Sequence, residues 1–234
     1  KPVDPLADKN VNILKENENI LMDRSISIMK IILNTTIGLL LLAHQVMAAP
    51  QHGLSLYGPQ GLKYKSGEPY VYANPKAPKG GNLTLADFGA FTKLNPASLK
   101  GVPAPGIGQL VFQNAMDSSA DDNEPFSQYG NLVEKAEVSD DHLSLTYYLY
   151  KQAKFSDGHP LTADDFVFSF NLIKDPQYHP IYKEYFKDIK SIEKINGHTV
   201  RYHFAVHNQE LPLITGQMII FPKHIYDTKE KSFG

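Results

Sequence analysis

Residues 143–170 place a strand, a turn and a helix in direct succession, and this unit restricts the fold more than any other part of the chain. Hydrophobic side chains recur at every second position of "HLSLTYYLYKQ". This alternation predicts a strand whose buried face carries Leu143, Leu145, Tyr147 and Leu149. The segment "FSDGHPLTADDFVFSF" follows at once, so we expect a rigid corner between the strand and a helix.

The start of that helix carries turn and capping residues. Asp157 and Gly158 predict the turn, because Asp closes an Asx-turn and Gly tolerates a positive φ angle. Thr162 is expected to be the N-cap, with Asp165 at the capping-box position that Glu usually takes. Asp164 adds negative charge where the helix dipole favours it. The helix should pack through an apolar stripe formed by Phe166, Val167, Phe170 and Ile173.

The downstream sequence predicts a hairpin, a second helix and a buried closing segment. Asn196-Gly197 indicates a tight turn, and the strand after it alternates at Val200, Tyr202, Phe204 and Val206. "HPIYKEYFKDI" predicts a helix whose apolar face carries Ile181, Tyr182, Tyr185, Phe186 and Ile189. "ELPLITGQMIIFPKHIYD" has the composition of a buried segment, broken by Pro212, Gly216 and Pro222.

The sequence before residue 120 predicts less regular structure. Residues 51–81 are dense in Gly, Pro, Tyr and Lys, which favours a surface loop. "NLTLADFG" predicts a short strand ending at Gly89, because Leu83 and Leu85 alternate with polar neighbours. "IGQLVFQNAMDSS" predicts a short helix that stops near Ser118 and has helically spaced apolar residues at Ile107, Leu110, Val111 and Ala115.

The N-terminal region has the pattern of a leader rather than of a folded domain. Residues 1–21 are polar and do not begin with Met, and we expect no native fold there. Residues 22–48 predict a secretory signal peptide that starts at Met22 or Met29, with a positive end before a short apolar run at 31–43. The alternative is a membrane-spanning helix, which needs about 20 apolar residues. Polar side chains interrupt the run and argue against it.

Cleavage of this peptide would release residues 49–234 into the periplasm. Val46 and Ala48 supply the small or apolar side chains of positions −3 and −1, so we expect cleavage after Ala48 or Ala49. The chain has no cysteine, which excludes disulfides, thiolate metal sites and a lipid-modified N-terminal cysteine. Its formal net charge of −2 gives no indication of a nucleic-acid partner.

Candidate catalytic and metal-binding residues are few. Capping explains Asp164 and Asp165, since a general acid and base need a cleft and contrasting environments. His198, His203 and His207 form the densest histidine group, but no further ligand follows at a metal-site spacing. The sequence has no P-loop, G-x-S-x-G or H-E-x-x-H motif. We therefore expect no catalytic residue, metal or cofactor, and favour a binding protein.

"FSDGHPLTADDFVFSF" resembles the family 5 extracellular solute-binding proteins, the peptide- and nickel-binding receptors of ABC importers. Further segments resemble the YejA-type branch of that family, which is associated with oligopeptide and microcin C import. They run in order from about His52 to the end and are "HGLSLYG", "YANPKAPKGGNLTLADFGAFTKLNP", "YGNLVEKAEVS", and "NQELPLITGQ" followed by "FPKH". The chain departs from these receptors in a looser start around Tyr72 and in its length, because they are commonly well over twice as long.

The resemblance implies an α/β fold, namely the N-terminal lobe of a two-lobed periplasmic-binding-protein fold (class II, cluster C) with a mixed sheet and packed helices. The second lobe would be missing. The residues implied to line the cleft, and to pair their backbone with a peptide, are Gly89, Ala90, Phe91 and Thr92. The implied partners are a peptide ligand and an ABC permease with its ATPase in the inner membrane, and the receptor would be a monomer.

Two alternatives stay open at the level of sequence. The first is a receptor for nickel, haem or another small solute on the same fold. The second is a periplasmic hydrolase that would use Asp87, Asp164 or His159 as acid–base groups. A receptor needs lobes that move as rigid bodies, and the capped helix suits that need.

Overall fold

The computed structural model describes residues 22, 29, 30, 49–119 and 124–227 of the 234-residue chain. The predicted signal peptide and the segment before it lie almost entirely outside the described residues, so both stay predictions. The chain divides into two units between Met47 and Ala48, and every element below belongs to the second. Among the helices that the structure describes, none is long and apolar enough to span a bilayer.

The described part of the second unit contains seven strands and five α-helices. The strands are β1 (Gly53–Ser55), β2 (Met116–Ser118), β3 (Ser127–Gly130), β4 (Val133–Val138), β5 (Ser144–Leu149), β6 (Ile189–Asn196) and β7 (Thr199–Phe204). The helices are α1 (Ile107–Leu110), α2 (Ala163–Leu172), α3 (Pro180–Tyr185), α4 (Leu211–Gly216) and α5 (Lys223–Tyr226). This combination confirms the predicted α/β class.

The larger sheet has four strands in the order β4-β5-β7-β6, and all its ladders are antiparallel. The two central strands match the predicted two-residue period, because one face of each is buried. The fully buried side chains on that face include Leu145, Tyr147, Val200 and Tyr202. Both strands are therefore confirmed, as is the β6–β7 hairpin at Asn196-Gly197. Leu143 and Val206 lie just outside the strands and are exposed.

Helix α2 packs its predicted apolar stripe into the core beside this sheet. The backbone N–H of Ala163 donates to the carbonyl oxygen of Gly197 at 2.9 Å, which ties the helix start to the β6–β7 hairpin. Gly158 has a φ of 87° in the preceding turn, a conformation that strains any residue with a Cβ. The buried members of the stripe are Phe166, Phe170 and Ile173.

The smaller sheet has the order β1-β3-β2 and is also antiparallel. The closing segment of the described chain binds next to it, since the backbone N–H of Ala115 donates to Met218 O at 3.2 Å. The N–H of Ile220 likewise donates to Gln113 O at 3.1 Å. The closing segment is buried, as predicted, through Leu211, Leu213, Met218, Ile220 and Phe221.

The predicted strand in residues 82–88 is wrong. Leu83 and Leu85 are 83% and 74% exposed, and the segment has no regular structure. Alternation produces a strand only where a partner pairs with the backbone. The backbone of residues 82–87 makes no backbone hydrogen bond to any described residue.

The predicted helix from residue 107 to Ser118 is also wrong beyond its first turn. Only α1 is helical, and Leu110 and Val111 on the expected apolar face are exposed. Met116 begins strand β2 instead, because pairing with β3 and with the closing segment outweighs the local helical pattern. Helix α3 is shorter than predicted in the same way, since Ile189 of its expected face starts strand β6.

Candidate solute-binding site

Residues 89–92 form an exposed stretch that is anchored at its C-terminal end. The backbone N–H of Thr92 donates to Val102 O at 2.9 Å, and the N–H of Val102 donates to Thr92 Oγ1 at 2.9 Å. Gly101 permits this approach, because a Cβ there would lie 2.8 Å from Thr92 Oγ1. Among the described residues, none hydrogen-bonds to the backbone of Ala90 or Phe91. The role of this stretch in binding stays a prediction.

The turn that follows fastens the stretch to the core. Asn95 Oδ1 accepts a hydrogen bond from the backbone N–H of Ala97 at 3.0 Å. Ala97 is completely buried, and its carbonyl oxygen accepts from the N–H of His179 at 2.9 Å. The Lys93 ammonium donates to the carbonyl oxygen of Ser98 across the same turn. The exposed backbone of residues 89–91 therefore extends from a well-supported base.

Large apolar side chains near this stretch face solvent. Soluble proteins expose single apolar residues freely, whereas a concentration of them marks an interaction or ligand-binding surface. Nine exposed apolar side chains fall within residues 83–111, namely Leu83, Leu85, Phe88, Phe91, Leu94, Leu99, Val102, Leu110 and Val111. This part of the chain is suited to contact a ligand or another protein surface.

The predicted cap residues stand at the start of α2. Asp165 Oδ2 accepts from the backbone N–H of Thr162 at 2.8 Å and from its hydroxyl at 3.1 Å. Asp165 Oδ1 accepts from the backbone N–H of Lys223 at 3.0 Å. With 3% of its surface exposed and both oxygens hydrogen-bonded, Asp165 is occupied by structural contacts and is poorly suited to proton transfer.

The candidate acid–base groups of the hydrolase alternative have separate partners. Asp164 forms an ion pair with Lys194, with Oδ2 and Nζ 2.7 Å apart. Asp87 Oδ1 accepts a hydrogen bond from the backbone N–H of Phe88 in an exposed stretch. His159 stacks on His224 with ring centroids 3.9 Å apart. Nothing in the described part of the chain joins the three groups into one constellation.

An Asp–His corner at the turn before α2 was not predicted from the sequence. His224 Nε2 lies 2.6 Å from Asp157 Oδ2, and Asp157 Oδ1 accepts from the backbone N–H of His159 at 2.9 Å. The hydrogen bond with His224, followed by that from the His159 backbone, lowers the pKa of Asp157 from 3.8. His159 and His224 are 65 positions apart in the sequence, so no local pattern predicts that they meet at this corner.

The histidines singled out in the sequence do not form a metal site. Within the described ranges, no group of three or more His, Asp or Glu side chains is placed to hold a metal ion. His203 Nε2 lies 3.5 Å from Glu193 Oε1 on the four-stranded sheet. His207 packs instead against the ring of His142, with centroids 5.3 Å apart.

A tyrosine cluster fastens the loop after β1 to strand β3. The hydroxyl of Tyr129 donates to Glu124 and accepts from the backbone N–H groups of Lys63 and Tyr64 at 2.9 and 3.0 Å. Burial, and then the hydrogen bond to Glu124, raise the pKa of Tyr129 to about 12. The rings of Tyr64 and Tyr70 meet edge to face at 4.9 Å. The Tyr129 hydroxyl therefore stays protonated and holds the loop to the strand.

Two cavities lie on the sheets and away from residues 89–92. One of about 360 Å³ opens between β1, β4 and α4 and has a mainly apolar floor. The other, of about 580 Å³, lies against β4, β5 and the β6–β7 hairpin and is lined by polar residues such as Lys135, Lys151 and His198. Neither cavity includes the predicted cleft-lining stretch.

Comparison with known proteins agrees with these observations. The family model described as "Bacterial extracellular solute-binding proteins, family 5 Middle" matches residues 127–234. The uncharacterized protein y4wM of Sinorhizobium fredii is 40% identical over 75% of this chain and 26% of its own length. The probable peptide-binding protein YejA of Agrobacterium fabrum is 37% identical over 75% of this chain and 28% of its own length.

A third relative is the peptidoglycan-binding protein YepA of Agrobacterium fabrum, 34% identical over 82% of this chain and 32% of its own length. The chain thus spans between 26% and 32% of the length of these three relatives. The matched region contains the four-stranded sheet. It also contains the capped helix α2, which lies in the segment that carried the sequence resemblance. The resemblance to the family 5 bacterial extracellular solute-binding proteins is therefore confirmed, and the family model places it in residues 127–234.

Proposed function

We propose that this protein is the periplasmic substrate-binding component of an ABC importer. It captures oligopeptides or peptide-like compounds and delivers them to an inner-membrane permease and its ATPase. The family 5 match of residues 127–234 and the 37% identity with a probable peptide-binding protein support this proposal. The signal peptide predicted for residues 22–48 supports a periplasmic location, and the receptor acts as a monomer.

The observation that carries the proposal is the exposed backbone of residues 89–91, which makes no backbone hydrogen bond to any described residue. None of its carbonyl oxygens accepts a backbone hydrogen bond from a described residue. An extended peptide can add to such a backbone as a strand, so that main-chain groups supply affinity for many sequences. Gly89, Ala90, Phe91 and Thr92 are the residues that we assign to this contact.

The described residues serve as part of the N-terminal lobe of a two-lobed receptor. Exposed apolar side chains such as Phe88, Phe91 and Leu94 then face the ligand and a second lobe rather than water. The lobe must keep its shape while hinges bend, because closure moves the lobes as rigid bodies. The hydrogen bonds at the start of α2 support that rigidity. The receptor releases its ligand chemically unchanged.

A proline substitution tests the backbone contact. Ala90→Pro removes one N–H donor and should weaken peptide binding about tenfold, the value of one lost hydrogen bond. Ala86→Pro is the matched control, since it lies in the same exposed stretch but outside residues 89–92, and it should bind as the parent does. Isothermal calorimetry with a mixed oligopeptide library measures both affinities. It uses the longest exported form of the protein, meaning the processed chain together with any residues that its gene encodes after Gly234. Equal affinity in the two variants would contradict the assignment.

A second candidate ligand class is the peptidoglycan fragment, favoured by the 34% identity with a peptidoglycan-binding protein. Peptidoglycan fragments carry short peptides, so the same backbone contact suits them. The same titration with purified muropeptides distinguishes the two classes. Tighter binding of muropeptides than of linear peptides would make them the preferred ligand.

A further inference from the structure

The cavity between β1, β4 and α4 combines an apolar floor with an acidic rim. Its floor is formed by buried side chains of the two sheets and the helix, namely Leu54, Ala136, Pro212 and Leu213. The titratable side chains that line it are Glu137, Asp140 and His142, and neither Lys nor Arg is among its lining residues. The cavity is thus complementary to a small cation attached to an apolar chain.

One of these acidic groups is open to a new partner. Glu137 already accepts a hydrogen bond from the hydroxyl of Tyr148 at 2.7 Å. The adjacent Asp141, which does not line the cavity, accepts from Ser139 Oγ at 2.6 Å and from the backbone N–H of Leu143 at 2.9 Å. The exposed carboxylate of Asp140, in contrast, makes no hydrogen bond or ion pair with any described residue.

The start of the second unit runs along the edge of β4 into this cavity. Gln51 and Ala136 exchange two backbone hydrogen bonds of 2.7 Å, and the ladder ends there. Continued in the same antiparallel register, it would bring Ala49 opposite Val138. Ala49 lines the cavity, and its carbonyl oxygen accepts from Gln51 Nε2 at 2.6 Å. Ala49 is therefore already part of the wall of the cavity that Glu137 and Asp140 also line.

We propose that this cavity seats the mature amino terminus of the protein. Hydrolysis of the Ala48–Ala49 peptide bond by a signal peptidase consumes one water and leaves a carboxylate on Ala48. It also leaves an amine on Ala49, which takes up a proton at neutral pH. The resulting α-ammonium pairs with Asp140, while the methyl group of Ala49 faces the apolar floor.

The pairing couples folding to processing. Before cleavage the nitrogen of Ala49 belongs to an uncharged amide, so Asp140 gains nothing from it. After cleavage the carboxylate raises the pKa of the α-amine above its unfolded value of about 7.7–8.0. The contribution to stability is complete below that unfolded pKa and is lost as the pH rises through the folded pKa. Only the processed chain receives this stabilisation.

The test begins with the product of export. The full chain, expressed with its own leader in a Gram-negative bacterium and purified from the periplasm, should have the intact mass of a chain that begins at Ala49. The α-amine is then ¹³C-dimethylated and its pKa measured by NMR. An ion pair at about 4 Å in water predicts a pKa higher by about 0.7 than in Asp140→Asn.

Glu134→Gln is the matched control. It removes the same charge from an exposed residue of β4, the strand that precedes Asp140. Glu134 lines the other cavity, so this change should leave the pKa of the α-amine unchanged. A product that begins at Pro50, or that keeps residues before Ala49, overturns the proposal. An α-amine whose pKa is the same in Asp140→Asn as in the parent also overturns the proposal. An unfolded product whose α-amine has the unperturbed pKa of about 7.7–8.0 overturns it as well. Peptide binding has no part in the readout, so failure here leaves the proposed function standing.

Discussion

The carboxylate of Asp165 accepts a hydrogen bond from the backbone N–H of Lys223 at 3.0 Å, across 58 positions of sequence. The same side chain receives the N–H of Thr162 at the start of α2. One buried carboxylate therefore holds both the helix start and the beginning of α5. The pair joins the capped corner to the closing segment and makes the corner rigid.

Replacing this carboxylate should destabilise the fold strongly. Asp165→Ala leaves two backbone N–H groups without their acceptor, and we expect the free energy of unfolding to fall by about 3 kcal/mol. Urea denaturation followed by circular dichroism measures the change. Asp164→Asn is the control, because its ion pair with Lys194 is about half exposed and should contribute less than about 1 kcal/mol. Similar losses in both variants would contradict the structural role of Asp165.

The cap itself can be tested separately. Thr162→Ala removes the N-cap hydroxyl and should lower the free energy of unfolding by about 1 kcal/mol. Thr162→Ser keeps a hydroxyl at the same position and should retain most of that stability. Thermal melts of the two variants compare them directly, and an alanine variant as stable as the serine variant would show that the hydroxyl is dispensable.

Two buried tyrosines at the centre of the sheet should respond oppositely to loss of their hydroxyl groups. Tyr147 Oη lies 2.8 Å from Thr215 Oγ1, whereas the buried Tyr202 hydroxyl has no hydrogen-bond partner in the described structure. Tyr147→Phe should cost about 1 kcal/mol. Tyr202→Phe should be neutral or stabilising, because it removes an unsatisfied polar group.

The rings of these tyrosines meet edge to face at 5.4 Å, so each variant serves as the packing control for the other. Chemical denaturation gives both values. A larger loss in Tyr202→Phe than in Tyr147→Phe would mean that the hydrogen bonds are assigned to the wrong hydroxyl.

The Asp157–His224 contact predicts a dependence on acid. Because hydrogen bonding lowers the folded pKa of Asp157 below 3.8, its contribution to stability is present above pH 3.8 and is lost as the pH falls through the folded value. His224→Gln should move the pKa of Asp157 back toward 3.8, since His224 is the largest cause of the shift. Carboxyl ¹³C NMR titration measures it, and an unchanged pKa in this variant would exclude the contact.

Local signals in the sequence were sufficient for the corner and the hairpin. The alternation in β5 and β7, the Asn196-Gly197 turn and the apolar stripe of α2 all describe neighbours along the chain, and each element formed as predicted. Strand β5 also pairs with the distant strand β7, and this pairing keeps the buried face that the alternation predicted. Local propensity and tertiary packing therefore agree there.

Signals that depend on distant partners were misleading or absent. Leu83 and Leu85 alternate as in a strand, but no described segment pairs with their backbone. Met116 is drawn into β2 by pairing with Gly130 rather than into a helix. The acidic rim at Asp140 and its proximity to Ala49 depend on how β1 and β4 meet, which no pattern in the sequence encodes.

Calorimetry with a mixed oligopeptide library is the most direct test of whether the protein captures a solute without changing it chemically. The longest exported form of the protein should bind peptides with micromolar or tighter affinity, and mass spectrometry should recover the library intact. Residues 49–234 alone should bind weakly or not at all, because they supply one face of the cleft. Hydrolysed peptides, no binding to the longest form, or equally tight binding to residues 49–234 alone would contradict the account.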